Sequence, residues 1–240
     1  MNIKRVYFYL IIICSFAVLC SCEKSVKMNP PGQNKSLLSD TNYTSEILIT
    51  DFENGVNHLN YPYSGDIYGY TDEHETPQGT STILELIKFA KDSSRIIIAD
   101  TKSLGALNSN RFLKISGKIT TSFPYGFAGC GFNFEKNRQA IDISAYKGLK
   151  FWAKGSNDYF YVKIESSLNK EKAFYQFKFF ADSTWKDITV FFKNLKQPDW
   201  KKSFVDLDSV LKFTVGIQWQ TTRQPIKNYL FCVDNVEFIK

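Results

Sequence analysis

The chain has 240 residues, a formal net charge of +6, 43% hydrophobic residues and 16% aromatic residues. The lysines are scattered, and no basic block with interleaved aromatics marks a nucleic-acid surface, so nucleic acid is excluded as a partner. Only two histidines occur, His58 and His74, which leaves His-rich zinc sites and Ser/His or Cys/His nucleophile pairs poorly supplied.

Met1–Arg5 is short and basic, Val6–Leu19 is apolar, and Leu19-Cys20-Ser21-Cys22 follows. This is the basic, apolar and small-residue order of an export signal. Its end resembles the lipobox of bacterial lipoproteins, with Cys22 as the acylated residue. The apolar run of about 14 residues is shorter than the roughly 20 a membrane-spanning helix needs. Residues 1–21 are therefore expected to be a lipoprotein signal peptide. The chain from Cys22 onward is expected in a bacterial cell envelope, lipid-anchored to a membrane, with the outer membrane favoured. Glu23-Lys24 leaves periplasmic and surface sides both open. Loss of Lys4 and Arg5 without loss of any acid takes the net charge from +6 to +4.

Residues 22–45 contain Pro30-Pro31-Gly32-Gln33-Asn34-Lys35-Ser36 and few large apolar side chains, the composition of a flexible tether. About 22 such residues span roughly 25 Å on average. A single domain is expected over residues 46–240. Its first strand is expected at Ile47–Phe52. Loops around short strands follow over His58–Thr82. Further strands are expected at Thr82–Phe89, where a short helix is the alternative, and at Ser94–Ile98. From Arg111 onward apolar and polar residues alternate. Strands are expected at Phe112–Gly117, Cys130–Phe134, Leu149–Lys154, Asp158–Glu165, Phe174–Phe180, Lys186–Phe192, Phe213–Gln220 and Tyr229–Ile239. This spacing argues an all-β antiparallel β-sandwich of jelly-roll type. Cys130 and Cys232 both fall in strand-like apolar runs. Buried free thiols are the plain reading, and a bridge is the alternative that export permits.

Ile49-Thr50-Asp51-Phe52-Glu53-Asn54-Gly55 resembles the opening strand of family 11 carbohydrate-binding modules and of the complex I intermediate-associated protein 30 domain. Asp142–Gly155 is similar to their D-S-Y-G segment, and Asp182-Ser183-Thr184-Trp185-Lys186 to their S-W-K strand entry. Val205–Val210 and Cys232–Phe238 resemble their closing L-D and V-D-N-I-F strands. The resemblance covers roughly residues 46–240 and implies a galactose-binding-like jelly roll, a fold that hosts many functions.

It also implies a structural calcium where the first and last strands meet, with Asp51, Glu53 and Asp234 as ligands, since hard oxygen donors suit that ion. Solvated or turn-capping acids are the ordinary alternative. A sugar-binding platform needs an exposed ring plane beside amides, acids or cations. Trp200 lies in the polar loop Gln197-Pro198-Asp199-Trp200, where the resembling family places a binding aromatic. Gln218 falls on the strand face opposite Val215, Ile217 and Trp219. Tyr161, Tyr125 and Tyr68 complete the candidate ligand-binding set, each with ordinary packing as its alternative. Trp219 is expected in the core, and Trp152 and Trp185 against the sheet. No motif marks the paired carboxylates of a glycosidase, and the glycines of Gly126–Gly131 open a strand, where close sheet packing explains them. The expectation is a non-enzymatic lipoprotein that binds a polysaccharide or oligosaccharide. The alternative is a structural or assembly lipoprotein that holds an envelope protein partner through the same sandwich.

Overall fold

Alternation of apolar and polar side chains builds two antiparallel sheets with their apolar faces together. The computed structural model describes residues 46–53, 59–75, 77–86, 105–222 and 228–240. The signal and tether segments, Cys22 and the strand expected at Ser94–Ile98 lie outside the described residues. The strands are β1 (Glu46–Thr50), β2 (Ile67–Thr71), β3 (Thr82–Leu86), β4 (Leu113–Lys118), β5 (Ala128–Asn133) and β6 (Gly148–Gly155). They continue with β7 (Asp158–Ser166), β8 (Tyr175–Ala181), β9 (Lys186–Phe191), β10 (Thr214–Thr221) and β11 (Tyr229–Ile239). Among the described residues the one α-helix is α1 (Leu207–Lys212), and three 3-10 turns lie at Ala106–Asn108, Lys136–Arg138 and Phe192–Asn194.

The first sheet runs β3-β4-β11-β6-β9, with β1 also paired to β11. The second runs β2-β5-β10-β7-β8. The eleven-residue β11 organises the first sheet. It pairs with β6 along one edge; along the other it pairs with β4 through Tyr229–Val233 and with β1 through Val236–Ile239. In β7, Phe160, Val162 and Ile164 are buried, and Tyr159, Tyr161 and Lys163 face away from them.

Aromatic rings join the two sheets. Trp219 of β10 is fully buried, with its ring 5.7 Å from Phe132 and 5.6 Å from Phe151 across the sandwich. Phe160 of β7 meets Phe231 of β11 at 4.7 Å. Such pairs add about 0.5–1.5 kcal/mol each beyond area burial. Trp185 stands edge-on to Phe112 at 5.3 Å and takes the Lys154 ammonium over its ring at 4.7 Å, on the first sheet's outer side. Cys130 and Cys232 are buried and not bridged by a disulfide, one in each sheet.

One segment departs from the sequence reading. Val205–Val210, likened to a closing strand, instead enters α1. Asp206 caps the helix, its carboxylate accepting the Ser209 N–H at 2.8 Å. That cap satisfies an otherwise orphaned donor, and Val210 and Leu211 bury the helix's apolar side.

Candidate functional site

Period 2 in the second sheet collects one set of side chains on its outer face. Antiparallel register aligns them in rows. Tyr68, Gly131, Gln218, Lys163 and Gln176 form one row, from β2 to β8. Tyr70, Gly129, Gln220, Tyr161 and Lys178 form the next. The two glycines of β5 let the neighbouring side chains lie across that strand. A Cβ on Gly129 would run into the Tyr70 ring, and one on Gly131 would crowd Gln218.

A hydrogen-bond network crosses these rows. The Tyr68 hydroxyl donates to Glu165 Oε2 at 2.9 Å, and Gln218 Nε2 donates to the same oxygen at 2.9 Å and to Tyr68 Oη at 3.0 Å. Arg138, on the 3-10 turn between β5 and β6, donates to Glu165 Oε1 and pairs with its charge. Both Glu165 and Gln218 are buried. Beside them Lys163 Nζ donates to Gln220 Oε1 at 2.7 Å, and the Tyr70 hydroxyl donates to that oxygen at 3.3 Å. Lys178 Nζ lies over the Tyr159 ring at 4.4 Å. Burial, then the Glu165 carboxylate, pushes the Tyr68 hydroxyl far above the usual phenol range. Burial pulls the Lys163 ammonium down to about 8.

The model of the complex I intermediate-associated protein 30 family matches residues 100–215. Among solved structures the chain is similar to the family 11 carbohydrate-binding module of a cellulosomal cellulase of Clostridium thermocellum. The identity is 18%, covering 82% of this chain and 95% of that one, with a TM-score of 0.51. It is also similar to a family 30 carbohydrate-binding module, at 10% identity over 81% of this chain and 87% of that one, with a TM-score of 0.50. Comparison with curated proteins finds no match. The domain has the galactose-binding-like β-sandwich fold of carbohydrate-binding modules.

On this module-like sandwich three of the five candidate ligand residues, Tyr68, Tyr161 and Gln218, share the outer face of the second sheet. Trp200 and Tyr125 lie elsewhere. Trp200, 53% exposed, sits in a loop tied to the start of β8 through Gln176–Lys196 backbone pairing and the Gln197–Ala173 hydrogen bond. Tyr125, 50% exposed, sits in the turn before β5, edge-on to Phe123 at 5.7 Å. Strand order and direction put these loops at diagonally opposite corners of the sheet. Sequence reasoning had not singled out Tyr70, Arg138, Lys163, Glu165, Lys178 or Gln220. The alternation of Asp158–Glu165 already put Lys163 and Glu165 on the face of Tyr161. Arg138 carries no local signal, because it arrives from a separate turn.

Asp234 and Glu53 both hold residues 105–111, whereas Asp51 turns to Glu53 and Asn60. Asp234 accepts from Ala106 N at 2.9 Å, Ser109 Oγ at 2.6 Å and Asn235 N at 2.9 Å. Glu53 Oε1 accepts from Asn110 N at 2.8 Å and Arg111 N at 2.7 Å. Asp51 Oδ1 accepts from Glu53 N at 3.1 Å and Asn60 Nδ2 at 3.3 Å. The donors on Asp234 and Glu53 tie this loop to β11 and to the segment just after β1. Burial lifts the Asp234 carboxyl to about 6 against those donors.

Proposed function

We propose that this chain is an exported, lipid-anchored, non-catalytic lipoprotein of the bacterial cell envelope that binds an oligosaccharide or polysaccharide on the outer face of its second sheet. Acylation at Cys22 would hold it to the membrane. The observation that carries the binding reading is the cluster of Tyr68, Tyr161, Gln218, Glu165 and Lys163 on one face, which offers rings, amides and charges to a sugar's C–H plane and hydroxyl rim. The similarity to carbohydrate-binding modules supports it. The non-catalytic reading is supported by the cluster's single carboxylate, Glu165, which is already bound to Arg138, whereas glycoside hydrolysis needs two carboxylates facing one cleft.

Affinity electrophoresis of the chain through a polysaccharide panel tests this. A glycan should retard the wild type, and Tyr161→Ala should lose at least about tenfold in affinity, the equivalent of about 1.4 kcal/mol. Trp200→Ala should keep its retardation if the face alone is the site. Failure of every glycan to retard the wild type would remove the reading.

A different observation favours a protein partner. Trp200 and Phe204, 53% and 72% exposed, stand in one loop, and exposed apolar side chains held together mark docking surfaces. An envelope pull-down that Trp200→Ala abolishes would select this alternative. Calcium held by Asp51, Glu53 and Asp234 is a separate proposal. It would use carboxylate lone pairs together with backbone carbonyls of the same corner.

A further inference from the structure

Among the described residues the charges of this outer face are unbalanced. Arg138, Lys163 and Lys178 stand against one carboxylate, Glu165, and Arg138 and Glu165 pair with each other. Lys163 is half-buried, and its one partner among the described residues is the neutral amide oxygen of Gln220. Register also sets the groups around it. Gln218 lies opposite it on β10 and Gln176 opposite it on β8. Tyr161 and Glu165 flank it on β7, Lys178 stands diagonally across on β8, and Tyr68 and Tyr70 reach over from β2. Glu165 is occupied by Arg138, Tyr68 and Gln218. A partly desolvated cation with no anionic partner is costly, and a charge-assisted hydrogen bond is what relieves that cost.

We propose that the glycan taken by this face is anionic, with a carboxylate or sulfate substituent seated against Lys163 Nζ. The inference rests on the glycan-binding reading and narrows it to a chemical class. Lys178, held over the Tyr159 ring, supplies a second cation on the adjacent strand for the next substituent along an acidic chain. Tyr161, beside Lys163 on β7 and opposite Lys178 on β8, supplies the ring. The lowered proton affinity of Lys163 agrees: an anion arriving there would raise it again, so binding should weaken as pH rises through about 8.

The test is titration of the purified full-length chain with polygalacturonate, a sulfated galactan, and neutral agarose and β-glucan. At least one polyanion should bind more tightly than both neutral polymers. The stronger polyanion tells carboxylate from sulfate. Lys163→Met should lose at least about tenfold in affinity, Lys163→Arg should keep most of it, and affinity should fall between pH 7 and pH 9 in the wild type alone. Because the chain is basic overall, Lys118→Met, on the other sheet, serves as the control and should bind like the wild type. Melting temperatures of all variants check that each folds, and Lys163→Met keeps an unbranched apolar stem while removing the charge. Equal losses in Lys163→Met and Lys118→Met would overturn the proposal, leaving diffuse charge attraction. Tight binding of a neutral glycan that Tyr161→Ala abolishes, with no polyanion bound, would overturn it while the glycan reading stands. No binding at all would remove both.

Discussion

Two carboxyl groups set the pH response of this sandwich. Burial holds Asp234 up to about 6, and burial followed by the Glu46 carboxylate holds Glu237 up to about 7. Each binds its proton more tightly when folded. The stability each contributes is therefore complete at acid pH, below its unfolded value, and is lost as pH rises through the folded value. Asp182 runs the other way. The Lys186 ammonium and then Thr184 hold it down to about 2, so its support disappears only in strong acid. The expected outcome is a melting temperature that falls from pH 4.5 to pH 7. Asp234→Asn should flatten the lower part of that fall, an effect of up to about 3 kcal/mol, and Glu237→Gln the upper part. Parallel melting curves in wild type and both variants would contradict it. At this scale the sequence is least informative. Asp234 was legible as an acid near the first strand, but its donors Ala106 and Ser109 come from a loop more than a hundred residues away in the chain. The same holds for Glu165, whose partners Tyr68 and Arg138 come from two other elements.

Elements are far more legible, because a strand with one buried face writes its period into its own residues. Tyr229–Ile239 was expected as one strand and forms β11 over the same residues. Asp158–Glu165 was expected to alternate as β7 does. The segment that misled, Val205–Val210, is short enough that apolar residues at Val205, Leu207 and Val210 fit either period. The cue was local, since Asp206 stands three residues before Ser209 and caps it. The glycines of β5 were readable as packing residues, and the structure gives the reason. Gly129 faces the Tyr70 ring and the Trp219 carbonyl. A methyl group there must move a backbone oxygen or a ring held by Gln220. Gly129→Ala should destabilise by about 1–3 kcal/mol, seen as a lower denaturant midpoint, and should release Tyr70 to greater fluorescence quenching. An unchanged midpoint would mean that the strand yields freely.

At the scale of the whole domain, β11 is the element on which the first and last described strands meet. It takes β1 along Val236–Ile239 and, through Asp234, the loop that precedes β4. If calcium occupies this corner, it stiffens the entire sandwich. Calcium should then raise the melting temperature of the wild type, and Asp234→Ala should abolish the increment. No calcium response in the wild type would remove the proposal. The two-sheet arrangement was legible because the eight alternating strands expected from Arg111 onward admit few other architectures. The common face of Tyr68, Tyr161 and Gln218 follows only once strand order is known, since β2, β7 and β10 are far apart in sequence. Their mutual saturation carries a thermodynamic consequence. The Tyr68 hydroxyl, the Gln218 amide and both Glu165 oxygens hold one another before any ligand arrives. A sugar hydroxyl landing there must exchange one partner for another, and exchanges of that kind leave only a small net gain. That part of the face behaves as a rigid template that fixes pose and contributes little affinity. Tightness falls to the Tyr161 ring and the Lys163 charge, so ligands should differ in affinity by what they place on those two groups and share one orientation across the rest.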